Sequence, residues 1–181
     1  MRNMLTDKKP LIRMLLLLVR ALILCSIFAA MLVFAADEPA VRVEPTGSVG
    51  PRPLEKQTEK AVVRDYLQAW RSMSAALEQN RAELLDADFV GAAKQKLSDT
   101  IREQARLGME TRYRDTAHDL RLAFYSPEGM SIQLLDTVEY EVQVVDHGKV
   151  QSTQQVRVRY VAVLTPTEVR WKVRVFQAEP E

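Results

Sequence analysis

The hydrophobic period changes once along this chain, and that change constrains the fold more than any other feature. Before it, Val63, Tyr66, Leu67, Trp70, Met73 and Leu77 recur at intervals of three and four, as in a helix with one buried stripe. From Ala117 the interval is two: Leu120, Leu122 and Phe124 alternate with Asp119, Arg121 and Ala123, as in a strand with one buried face. Helices followed by consecutive strands can share a core only if the sheet wraps its apolar face round the helices. The class is therefore α+β.

Each half carries its own boundaries. Glu55, Lys56, Glu59, Lys60, Arg64 and Arg71 fill the polar side of the first helix, predicted over residues 54 to about 85 with a weakening at Asn80. Asp86-Ala87-Asp88 offers a cap for a second helix carrying Phe89, Val90, Ala93, Leu97, Ile101 and Leu107, and Gly108 ends it. After Pro127-Glu128-Gly129 a second strand places Ile132, Leu134, Val138, Tyr140 and Val142 on one side. Asp146-His147-Gly148 is a hairpin signal. The third strand aligns Val156, Val158, Tyr160, Ala162 and Leu164, and after Pro166 a fourth aligns Val169, Trp171, Val173 and Val175.

The amino-terminal region sets the compartment. Arg2, Lys8, Lys9 and Arg13 precede an apolar run over 15–36 whose one charge is Arg20, and Asp37, Glu38 and Pro39 follow. Basic before and acidic after keeps the amino terminus in the cytoplasm and exports the rest. Val33-Phe34-Ala35-Ala36 suits cleavage after Ala35 by a signal peptidase. The alternative is a permanent inner-membrane anchor, with Arg20 snorkelling to the headgroups. Cys25, the single cysteine, lies inside this run, so the exported part forms no disulfide and relies on its core. Residues 40–54 are rich in Pro and Gly without periodicity. The division is thus a leader at 1–36, an extended linker at 37–54 and one domain at 55–181. A formal net charge of +1 gives no global case for nucleic acid.

The order helix–helix–four strands, closing on Val169-Arg170-Trp171-Lys172-Val173, resembles the nuclear transport factor 2-like superfamily, also called cystatin-like. Ala61-Val62-Val63-Arg64-Asp65-Tyr66-Leu67-Gln68-Ala69-Trp70 is similar to the opening helix of many such domains. Residues 108–122, with Tyr113 before the first strand, resemble the intermembrane-space domain of plastid-division proteins, a non-enzymatic member. The resemblance covers about 55–177. It implies two or three N-terminal helices packed in the concave face of a curved four-stranded antiparallel sheet.

The same superfamily includes cone-pocket enzymes of the ketosteroid isomerase type, and Asp136 is the residue to weigh for that role. Strict alternation puts Asp136 on the apolar face, where burial would raise its pKa and suit it as a base, with Tyr140 and Tyr160 as hydroxyl donors. The plainer expectation is a bulge at Leu135-Asp136-Thr137 that turns Asp136 to solvent, with the tyrosines serving as core rings. His118 and His147 are the only histidines, and no cluster has metal-ligand spacing, so neither metal nor cofactor is expected. No nucleophile-elbow glycine pattern supports a triad.

A surface is the remaining candidate. Arg157, Arg159, Arg170, Lys172 and Arg174 share an outward face if the last hairpin pairs as read, a strip suited to an anionic membrane or an acidic envelope protein. Alternatively Glu139 and Glu141 pair with Arg157 and Arg159 across the ladder. The reading is a non-catalytic, exported, periplasmic or membrane-tethered domain that binds a protein partner or a small apolar ligand. Its competitors are an isomerase or dehydratase and a scaffold component of an envelope assembly.

Overall fold

The computed structural model describes residues 38–45 and 50–179. The leader, and with it the choice between cleavage and anchoring, lies outside the described residues. Among those described, no helix is long and apolar enough to cross a membrane.

Helix α1, Lys56–Gln79, buries Tyr66, Trp70, Met73 and Leu77 of the predicted stripe, with Val62 and Ala69 in place of Val63 and Leu67, which are half-buried. It ends where Asn80 adopts φ 54°, a left-handed conformation that Asn tolerates, and the Asn80 N–H closes on the Ala76 carbonyl. A 3-10 turn, Ala82–Leu85, leads to helix α2, Gly91–Arg106. The expected Asp86-Ala87-Asp88 cap does not form, because the Asp88 carboxylate is committed elsewhere: Ser72 Oγ donates to it at 2.5 Å and Arg170 at 2.7 Å. Gly108 does end the second helix. Its φ is 71°, and a Cβ there would stand 2.9 Å from the His147 ring.

Among the described residues five strands form one sheet in sequence order: β1 Ala40–Val43, β2 Met109–Tyr125, β3 Ile132–Asp146, β4 Lys149–Pro166 and β5 Trp171–Ala178. The sheet face carries Leu120, Leu122, Ile132, Leu134, Val138, Ala162, Leu164 and Val173 into the same core as the helices. Two expectations need correction. Strand β2 starts directly after Gly108, so Tyr113 lies within the first long strand and not before it. The segment read as linker supplies β1, which runs parallel to β2 with Ala40 opposite Ala117 and Val43 opposite Leu120. The open edge of a long strand offers unpaired N–H and C=O groups, and a short Val-rich piece satisfies part of it.

The bends that curve this sheet sit elsewhere than predicted. Leu135, Asp136 and Thr137 pair one for one with Arg121, Leu120 and Asp119, so β3 has no bulge there. The extra residues are Thr116 and Ala123 on β2, where the register shifts. A bulge bends a strand pair from either side, and here β2 carries it. A further shift occurs in β5: Val173 faces Leu164 and Val175 faces Val163, leaving Arg174 as the extra residue. Phe176, rather than Val175, therefore turns inward to meet Trp70. Trp70 is 1% exposed, whereas Trp171 is half-buried against the core edge.

Candidate functional site

Asp136 does not reach solvent. It is fully buried, in line with Leu120 on β2 and Tyr160 on β4 across the inward face. Tyr66 of α1 donates its hydroxyl hydrogen to Asp136 Oδ2 at 2.9 Å, and His118 Nδ1 meets the same oxygen at 2.7 Å. The other ring nitrogen of His118, Nε2, meets Asp115 Oδ2 at 3.2 Å. A carboxylate on each side calls for an N–H on each nitrogen, so the ring is an imidazolium. Burial pushes the His118 pKa down, but hydrogen bonds and attraction from Asp115 and Asp136 outweigh it and hold the pKa at about 9. Burial pushes Asp115 up, and it is overcome by His118, which with Arg71 leaves the carboxyl below its usual range. Tyr66 is raised well above its ordinary value by burial and by the charge of Asp136. Asp136 Oδ1 is buried without a hydrogen-bond partner among the described residues.

The interior beside this cluster is filled with rings. Trp70 packs edge-on against His118 at 5.3 Å, Tyr160 at 5.4 Å and Phe176 at 5.6 Å, and tilts against Tyr140 at 6.0 Å. Tyr160 stacks on Phe176 at 4.7 Å, and Tyr113 meets Tyr140 at 5.1 Å. These spacings are those of direct aromatic packing. Burial raises Tyr113 to about 12, and burial with the Tyr140 contact raises Tyr160 further. Asp136, Tyr140 and Tyr160 are thus brought into one region, but the hydroxyl bound to Asp136 belongs to Tyr66. Sequence reasoning missed two members. His118 shares parity with Leu120 and Leu122, which marks it as inward-facing. Tyr66 lies in the buried stripe of α1, where its hydroxyl needs a partner.

The five cations of the proposed strip are largely engaged. Arg157 reaches Glu139 at 3.4 Å across the ladder, and Arg159 pairs with Glu179. Glu141 stands opposite Gln155 and accepts from it, so it does not pair with Arg159. Arg170 turns to the buried Asp88, and Lys172 Nζ donates to the Asp86 carbonyl at 3.0 Å. Arg174 is exposed on the β5 bulge.

A roomy concavity lies outside the cone. A groove of about 940 Å³ runs between β1, the first half of α1 and the β4–β5 turn. Val43, Val63, Leu67 and Val169 supply its apolar surface, and Val169 is 82% exposed. Lys56, Lys60, Arg64, Arg71 and Arg170 line it against two acids, Glu59 and Asp65. Asp65 is buried, accepting from Arg64 at 2.9 Å and from the Trp171 N–H at 2.9 Å. Lys56 and Lys60 have no acid partner among the described residues.

No family model matches the chain, and no curated protein matches it either. Solved structures do. The intermembrane-space region of the chloroplast protein ARC6 is 17% identical, with a TM-score of 0.58 over 72% of this chain and 100% of that one. A hexachlorocyclohexane dehydrochlorinase, LinA-type3 from Novosphingobium barchaimii, is 12% identical, with a TM-score of 0.48 over 68% and 87%. A candidate dehydratase of the nuclear transport factor 2-like family from Streptomyces avermitilis is 13% identical, with a TM-score of 0.47 over 67% and 98%. The likeness is one of fold: the domain is a nuclear transport factor 2-like cone with two helices in the concavity of a curved sheet.

Proposed function

We propose that the chain is a non-catalytic binding module of the cell envelope, exported or membrane-tethered, and that it takes a protein partner in the groove on α1. One observation carries the reading. The cone interior, where an enzyme of this fold class would hold substrate, is occupied by Trp70 and the rings packed on it, whereas the roomy concavity is external and has a cationic rim. In this reading the His118–Asp136–Tyr66 cluster is a structural link between α1 and the sheet.

Site-specific photo-crosslinking in the producing cell tests it. A photoreactive residue at Val169 is expected to give a discrete protein adduct, and one at exposed Thr153 on β4 is expected to give none. Equal labelling from both positions, or none from Val169, would remove the groove from consideration.

A second reading rests on a different atom. Asp136 Oδ1 is buried and unpartnered while Oδ2 is held by two donors, an arrangement that suits a positioned base. In an isomerase or dehydratase of this kind, Asp136 would move a proton and Tyr140 or Tyr160 would stabilise the developing oxyanion. That reading requires Trp70 to swing aside. Trp70→Ala would then open the cone to a hydrophobic dye that the wild type excludes, and turnover of a substrate found for the chain would fall in Asp136→Asn.

A further inference from the structure

We infer that the occupant of the groove is an extended polypeptide segment in which carboxylates alternate with apolar side chains, laid along the free edge of β1. This rests on the reading of the chain as a protein-binding module and names the chemistry that the same site would take.

Charge placement on α1 is the first observation. Lys56, Lys60 and Arg64 recur every fourth residue and so form one stripe, and Lys56 is the first residue of the helix. Both features oppose helix stability: like charges at this spacing repel, and cations at a helix amino terminus meet the positive end of its dipole. Arg64 is relieved by Asp65 at 2.8 Å, whereas Lys56 and Lys60, though Glu55 and Glu59 stand in the same turn, form no ion pair within 4 Å among the described residues. An anionic occupant would reverse both penalties.

The walls give the form of that occupant. Strand β1 borders the groove through Val43 and has β2 as its one strand neighbour among the described residues, which leaves its far edge able to pair. A peptide added there presents side chains alternately to two sides. One set would meet Val43, Val63, Leu67 and the projecting Val169, and the other the lysine stripe. From Lys56 to Arg71 the helix wall is about 24 Å long, which matches roughly 7 extended residues. A flat bilayer meets the rim of such a concavity and leaves its apolar floor uncovered, so a peptide fits better than a membrane.

The test is selection from a displayed library of random nine-residue peptides against the full chain. Enriched peptides are expected to alternate Asp or Glu with apolar residues. Binding of an enriched peptide should weaken at least tenfold in Lys56→Glu/Lys60→Glu, weaken with added salt, and be lost when amides of one alternate set are N-methylated while the other set tolerates it. The two lysines are exposed, so the variant keeps its fold, checked by an unfolding midpoint no lower than that of the wild type. Vesicles of phosphatidylglycerol form the other arm. Enrichment without acids, indifference to the lysine reversal, or vesicle binding with no peptide enrichment would each overturn the inference. If selection fails while the Val169 adduct persists, the binding-module reading stands and the extended-peptide form falls. If both fail, the reading itself falls.

Discussion

Raising the pH should unlatch the link between α1 and the sheet. His118 titrates at about 9 in the fold against 6.5 for a free imidazole, a difference worth about 3 kcal/mol. The folded pKa is the higher one, so this stabilisation is complete below about pH 6.5, declines above it, and is gone once the pH passes about 9. Tyr66 and Tyr160 are raised in the fold, so their contribution begins to be lost only near the ordinary tyrosine value of about 10, and Asp115, whose pKa is lowered, exerts its pH dependence on the acid side. Urea unfolding from pH 6 to pH 9, below the range where tyrosines ionise, should therefore show a loss of about 3 kcal/mol at constant m-value. A His118→Gln/Asp136→Asn variant keeps hydrogen-bonding atoms and removes both charges, and its profile should be flat by comparison. A wild-type loss below about 1 kcal/mol, or an equal loss in the double variant, would refute a buried imidazolium.

Other substitutions separate the parts of the structure. Trp70→Ala should cost about 3–5 kcal/mol by urea unfolding, while Trp171→Ala should cost about 1–2 kcal/mol because its ring is half-buried. Asp88→Ala leaves Arg170 and Ser72 without their shared acceptor and should cost about 3 kcal/mol, with hydrogen exchange quickened at Val90 and Val173, whose N–H groups bridge the same junction. For the leader, terminal sequencing of the exported protein is expected to begin at Ala36, and an intact Met1 in the membrane fraction would establish the anchor.

Local chemistry carried far in reading this chain, and pairing carried the rest. The stripe of α1, the stop at Gly108 and the turn at His147–Gly148 were legible because each depends on residues close in sequence. His147 at φ 46° and Gly148 at φ 78° have the conformations such a hairpin turn requires. Strand β1 was hidden because Ala40–Val43 gains its structure from the edge of β2 and has too few residues to show a period. The bulges at Thr116, Ala123 and Arg174 were hidden for a related reason: alternation shows that a long strand exists, but not where it slips. That slip decides between Val175 and Phe176 in the core. Asp136 was noticed by parity alone, yet its partners come from β2 and α1, and no spacing in the sequence brings His118 or Tyr66 to it.

The parallel pairing of β1 with β2 has a consequence in time. The two strands are separated in sequence by both helices, so β1 can dock only after α1, α2 and β2 have come together, and its closing loop is the longest in the sheet. A strand of four residues returns little for closing so long a loop, which makes it the first piece of the sheet to detach. The wall of the groove is thus the most weakly held strand of the domain. An occupant that pairs with it would slow its detachment, and amide exchange at Val41 and Val43 would report the bound state.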